Sequence, residues 1–226
     1  MLAVARKVKT RTYDNAARQT QSEETRQRIV EAARELMVER GYRATTVAAI
    51  ARTAGVHVDT VYELVGRKPV LVRELVEQAL SGTGGAVVAE EREYVKAMRA
   101  EPDPARKLAI YARAVRQIQA RMAPLFLALR DASATEPDAK QVWREISDRR
   151  AANMCKLVRD LDAAGGLRPG LAIDEAADVI WATNSSEFYV LLTGERGWPP
   201  DRYERWLVDT WCRLLLPDTW RAHGMR

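Results

Sequence analysis

The sequence predicts an all-α protein, with an N-terminal three-helix unit of helix-turn-helix type and a longer helical domain behind it, about nine to ten helices together. Three observations carry this. Apolar residues recur at spacings of three and four almost everywhere, while strict alternation is scarce. Valine, isoleucine and the aromatics are not gathered into short runs bounded by turns, as strands require. Glycines and prolines fall between the periodic stretches rather than within them.

The first 21 residues read as a flexible basic arm, with Arg6, Lys7, Lys9, Arg11 and Arg18 against the single acid Asp14. Ser22 offers an N-cap, and Glu23 and Glu24 suit the positive end of a helix. That helix carries the stripe Ile29, Ala33, Leu36 and Met37 and is expected to end near Gly41. Thr45 or Thr46 caps a second, shorter helix, Ala54-Gly55-Val56 forms a turn, and a third helix runs from about His57 to Leu64. Pro69 fits the first turn of a fourth helix bearing Val70, Leu71, Leu75, Val76 and Leu80. Further helices are expected at about 86–100, 104–121, 124–133, 138–163, 174–193 and 200–216. The organisation expected is thus an arm over 1–21, a helix-turn-helix domain over 22–68 and a helical domain over 69–226, with a Gly-rich break at 81–85 near the seam.

Bulk composition narrows the function. Of 226 residues, 47% are hydrophobic and 30% charged, which suits a globular chain able to bury a core. Residues 1–68 hold 13 Lys and Arg against 8 Asp and Glu, whereas residues 69–226 hold 23 of each. The whole net charge of +5 therefore lies in the first third, where it would attract phosphate. No apolar run reaches the length of a membrane span, and no apolar stretch follows the first basic residues as in a signal peptide, so a cytoplasmic protein without a membrane partner is expected. Cys155 and Cys212 lie far apart, and His57 and His223 are the only histidines, so neither a disulfide framework nor a metal cage is expected. Nucleophile elbow, P-loop and dinucleotide fingerprint are all absent, so neither enzyme activity nor a cofactor is expected. Glu90, Glu91 and Glu93 read as a solvated helix face.

The densest signal lies between Val47 and Leu64. Two short helices that cross steeply need a small residue where they touch and a glycine at the turn. Ala51 and Gly55 supply these. Val47, Ile50, Ala54, Val56, Val61 and Leu64 fall where a shared core would lie, while Asp59, Thr60 and Glu63 fall on the outer face.

In this order and spacing the segment resembles the DNA-binding domain of the TetR family of repressors. The resemblance rests on Gly41-Tyr42 closing the first helix, Thr45-Thr46-Val47 opening the second, and the pair Ile50-Ala51. The turn Ala54-Gly55-Val56, the core Thr60-Val61-Tyr62 of the third helix, and Lys68 opening the fourth complete it, over roughly 22 to 72. The stretch TGERGWPPDRYERWLVDTWCRLLLP also resembles the last helix of many members. Two departures stand out: Val65 occupies a place where phenylalanine is frequent, and His57 one where serine is common.

The resemblance implies that the third helix enters the major groove of double-stranded DNA. His57, Val58, Asp59 and Thr60 are then the candidates to read base edges: histidine donates to guanine, valine meets a thymine methyl, and aspartate accepts from cytosine. For His57 and Asp59 the competing role is capping of the recognition helix. Tyr62 and Lys68 match positions that touch phosphate, and Thr45 and Thr46 are candidates for the same. The function implied is a ligand-responsive regulator, a repressor that binds a palindromic operator as a homodimer and is released by a small-molecule effector. A ligand-independent architectural DNA binder is the alternative, against which the mass of the neutral 69–226 segment argues.

The resemblance further implies that the helices over 174–193 and 200–216 pair with their copies in a four-helix bundle. A ligand pocket is expected among 104–121, 124–133 and 138–163, lined by Tyr111, Gln117, Met122, Phe126, Trp143, Met154 and Trp181, with an apolar or amphipathic ligand. Asn184, Ser185, Ser186 and Glu187 form a polar island in an apolar helix, which suits either a ligand or the dimer seam.

Overall fold

The computed structural model describes residues 9–82 and 87–218, with side chains described from Arg18 onward. Among the described residues there are ten α-helices and no strand. The chain divides into two compact units, Met1–Leu75 and Val76–Arg226. The division falls inside a helix, between Leu75 and Val76, which lies between the expected boundary after Lys68 and the Gly-rich break at 81–85.

In the first unit α1 spans Lys9–Ala44, α2 Val47–Ala54 and α3 Val58–Leu64, and α4 (Lys68–Ser81) begins. The expected arm needs correction here. Residues 1–8 lie outside the described residues, but from Lys9 the backbone is helical and continuous with α1. Ser22 therefore sits inside a helix rather than capping one. No glycine or proline interrupts residues 9–40, and alanine, arginine and glutamine dominate 16–21. Such residues lose little on becoming helical, so a local excess of positive charge does not unwind them. The break comes at Gly41, whose φ of 78° and ψ of 166° leave the helical region.

The α1 stripe does what its spacing promised. Ile29, Ala33, Leu36 and Met37 are buried, as are Ile50, Ala51 and Ala54 of α2 and Val61 of α3, and α1 packs on both of those helices. Thr46 caps α2, its hydroxyl accepting from the Ala49 amide at 3.1 Å. Gly55 closes α2 in the left-handed region, φ 68° and ψ 38°, and Val56 N then donates to Ala51 O at 3.0 Å. Arg26 of α1 grips Glu74 of α4 through paired hydrogen bonds, Nη2 to Oε2 at 2.5 Å.

The second unit is built around one long helix, α6 (Pro104–Ser133), against which α5 (Glu93–Ala100), α7 (Pro137–Ala163), α9 (Ser186–Tyr189) and α10 (Pro200–Leu215) pack. Asp103 caps α6 by accepting from Ala105 N at 2.8 Å and Arg106 N at 3.0 Å, with Pro104 in the first turn. Two helices were expected here, broken before Pro124; the structure has one. Pro124 is exposed, and Met122, Ala123, Leu125, Phe126 and Leu129 around it are buried. Packing of that face outweighs the single backbone hydrogen bond a proline forfeits.

The opposite correction applies to 174–193, expected as one helix. α8 (Ile173–Thr183) stops, Asn184 turns inward, and Ser185 starts α9 by accepting from Phe188 N at 3.3 Å. Residues Val190–Glu195 continue as a π-helical turn. The buried centre of the unit joins Leu108, Val115, Leu157, Leu161, Ile180 and Leu207 to Trp211. Trp211 stacks on Tyr111 with ring centroids 5.5 Å apart, and its Nε1 donates to Thr183 Oγ1 at 2.7 Å. Among the described residues no helix is long and apolar enough to cross a membrane.

Candidate functional site

On the first unit the candidate contacts are presented by α3. Val61 is fully buried and anchors the helix, so the residues before and after it face out. His57, Val58 and Asp59 are exposed and Thr60 half-exposed, all within the first turn or its cap. His57 stands at the N-cap position, yet its side chain makes no capping hydrogen bond. The imidazole is thus not consumed by the helix end, the competing role considered for it. Tyr62 is 49% exposed on the same helix.

The two threonines separate. Thr46 is exposed at the start of α2. Thr45 is 0% exposed, and its hydroxyl donates to Gly41 O at 2.9 Å. Its side chain is withdrawn from any phosphate, a correction to the expectation; it instead ties the glycine bend of α1 to the start of α2. Lys68 is half-buried, donates from Nζ to Tyr42 O at 3.0 Å and lies 4.0 Å from the centroid of the Tyr42 ring. That ammonium braces the end of α1 against the start of α4.

The second unit holds a partly open cavity of about 150 Å³ between α5, α6, α7, the end of α4 and Asn184. Tyr111, Met122 and Met154 line it, as their sequence positions suggested. Gln117, Phe126, Trp143 and Trp181 do not. Gln117 is exposed on the far side of α6, and the lining glutamine is Gln119, since the inward face of that helix runs through 111, 115, 118, 119 and 122. Phe126 lies one turn further on, in closed core. Trp143 sits a turn before Ile146, where the lining face of α7 begins. Trp181 stands behind the wall, its ring 5.0 Å from the Arg150 guanidinium carbon and its Nε1 donating to Ser147 O at 3.4 Å.

The polar centre of this cavity joins Asn184 and Ser186 of the polar island to Gln119 and Arg150, which the sequence did not single out. Asn184, buried at the end of α8, donates to the Tyr111 hydroxyl at 2.9 Å, and its Oδ1 accepts from Arg150 Nη2 at 2.7 Å. Its carbonyl accepts from Gln119 Nε2 at 2.5 Å, and Gln119 Oε1 accepts from the buried Ser186 hydroxyl at 2.8 Å. The polar island of the sequence is therefore a bonded network at the cavity wall. Burial pushes the Tyr111 hydroxyl well above its ordinary pKa, so it stays protonated. Burial also draws the Arg150 guanidinium below its usual value, but a guanidinium remains charged. One signal was readable: Ile146, Arg150, Met154 and Leu157 share a helical face, so a charge sits in an apolar stripe.

A short, outward-facing second helix of a helix-turn-helix on a basic domain stands on the same chain as a helical domain with a polar-centred cavity. Residues 29–79 match the model of the family described as bacterial regulatory proteins, tetR family. Over that stretch the N-terminal domain is similar to this family, and the described residues of the whole chain are all-α.

Solved structures agree on the fold. NalD of Pseudomonas aeruginosa, the secondary repressor of the MexAB-OprM multidrug efflux pump, is 23% identical, with 87% of this chain and 99% of that chain covered and a TM-score of 0.67. A transcriptional regulator from Saccharomonospora viridis in complex with choline is 20% identical over 86% of this chain and 98% of that chain, with a TM-score of 0.64. A SmeT–triclosan complex is 19% identical over 87% of this chain and 94% of that chain, with a TM-score of 0.65. Among curated proteins no sequence matches significantly.

Proposed function

We propose that the protein is a ligand-responsive repressor that binds a palindromic operator as a homodimer and leaves it when a small molecule fills the cavity. The carrying observation is the first turn of α3, where His57, Val58, Asp59 and Thr60 are presented outward on a buried Val61 anchor. In this reading these four meet base edges, while Tyr62, Thr46 and the charge of Lys68 meet the backbone.

Dimerisation is supported by apolar surface on the last helices. Leu191 is 45% and Leu214 42% exposed, and half-buried Phe188 and Trp206 stack at 5.8 Å between ring centroids. A second copy would cover such a surface and supply the second half-site contact. The effector role is supported by the cavity, which DNA binding alone does not require, and by the choline and triclosan complexes of two similar folds. Release then follows if the ligand binds better to the conformer whose recognition helices are spaced wrongly for DNA.

Selection of bound duplexes from a random pool tests this, combined with sedimentation equilibrium. An inverted repeat bound by two chains is the expected result. A pool that stays random would favour the architectural reading instead.

A further inference from the structure

The cavity has an apolar lining with a charge set into it. Val115, Ile118, Met122 and Leu157 supply hydrocarbon, yet Arg150 reaches the same space from α7. Its Nη2 is occupied, donating to Trp181 O at 2.6 Å and Asn184 Oδ1 at 2.7 Å, and the guanidinium packs on the Trp181 ring. Nε and Nη1 have no partner among the described residues, and no carboxylate there lies within ion-pair distance of Arg150. Glu187 acts on it only at longer range and is paired with Arg130 at 2.9 Å.

Other charges around the cavity do not compensate it. Five basic side chains line it against two acidic ones. Arg92 and Arg149 share Glu77, at 3.1 and 2.5 Å, Lys156 pairs with Glu90 at 3.5 Å, and Asp160 with Lys107 at 2.8 Å. The acids are thus spoken for, and basic side chains outnumber acidic ones in the lining. Arg150 is half-buried, with Nε and Nη1 left open to the cavity, and a charge drawn partly out of water gains most from a partner of opposite sign.

We propose that the ligand is a small organic anion, a carboxylate on a body the size of one aromatic ring. Its oxygens take the unused Nε and Nη1 hydrogens of Arg150, a fork that matches carboxylate geometry. Its ring lies on Val115, Ile118 and Met122. A volume of about 150 Å³ sets the size. A cation of equal size is repelled, and a neutral isostere leaves Arg150 unanswered. The inference rests on the cavity being the effector site proposed above.

Isothermal titration of the full chain at pH 7 with benzoate, benzamide and benzamidinium tests it. Benzoate should bind at least tenfold more tightly than benzamide, and the amidinium should not bind. Arg150→Gln should bring benzoate down to the benzamide level and leave benzamide within twofold of the unaltered protein. Equal affinity for benzoate and benzamide in the unaltered protein overturns the proposal, with no variant needed. So does unchanged benzoate binding by folded Arg150→Gln. If benzoate and benzamide bind equally and Met122→Trp abolishes the binding of both, the cavity reading stands while the anion inference falls. If none of the three probes binds, both fall.

Discussion

Asn184 at the end of α8 donates from Nδ2 to the hydroxyl of Tyr111, 73 residues earlier on α6, across 2.9 Å in the buried wall of the cavity. Both groups are out of water, so the bond is one whose absence leaves orphans on each side. The same asparagine also accepts from Arg150. Asn184→Ala should therefore destabilise the protein by on the order of 2 kcal/mol, read as a lower urea midpoint. A cost within a few tenths would mean that water replaces the amide.

Two glycines should respond differently to alanine. At Gly55 an added Cβ meets no heavy atom within 4 Å, but φ is +68°. Gly55→Ala should cost about 1–2 kcal/mol through backbone strain alone. At Gly166 φ is not positive, yet a Cβ would lie 2.5 Å from Pro104 Cβ and 3.1 Å from Leu161 O. Gly166→Ala should cost about 1–3 kcal/mol by overpacking the start of α6. Gly166→Ser should be worse still, whereas Gly55→Asn should be milder than Gly55→Ala, because asparagine tolerates the left-handed region. Thermal melts of the four variants rank them.

Removing the Tyr62 hydroxyl should weaken binding to every operator variant by about 1 kcal/mol, since a phosphate contact carries no base information. His57→Ala should instead change which bases are preferred. Gel shifts on a panel of mutated operators separate the two. Uniform loss from His57→Ala would remove it from the base-reading set.

Trp211 is fully buried against Tyr111 and bonded to Thr183. Trp211→Ala should cost about 3–5 kcal/mol, and Trp211→Phe less, the difference including the lost Nε1 bond. Chemical denaturation followed by far-ultraviolet circular dichroism measures both.

Burial pushes the Cys212 thiol from 9.0 up to about 11, with the charges of Asp209 and Asp103 adding to it. Because the thiolate is the nucleophile, alkylation in the folded protein should rise roughly tenfold per pH unit between about pH 8 and 10. The folded value lies above the unfolded one, so the associated stability is full below pH 9.0 and is lost as pH rises through about 11. Iodoacetamide labelling with peptide mass analysis checks this, and a plateau by pH 9 would contradict it.

What could be read without coordinates was local. The threonine cap of α2, left open between Thr45 and Thr46, the Ala51–Gly55 turn and the Ile29-to-Met37 stripe each depend on neighbours within a few residues. Caps, tight turns and helical periodicity are encoded at that range, so the helix-turn-helix and its outward residues were visible in the sequence. The helical state of residues 9–21 is also local, because helix propensity there outweighs the excess of positive charge.

Tertiary structure alone decided the cavity. Nothing near Gln117 or Gln119 says which of them faces inward; the rotation of α6 against α7 and α5 does. The passage of α6 through Pro124 and the break of α8 at Asn184 follow the same rule, since in both places burial against distant helices outweighs the local preference. Arg150, Asn184 and Tyr111 come from three helices, and their shared purpose exists only once packing has brought them within hydrogen-bond reach. Contacts between residues far apart in the chain leave no spacing to read.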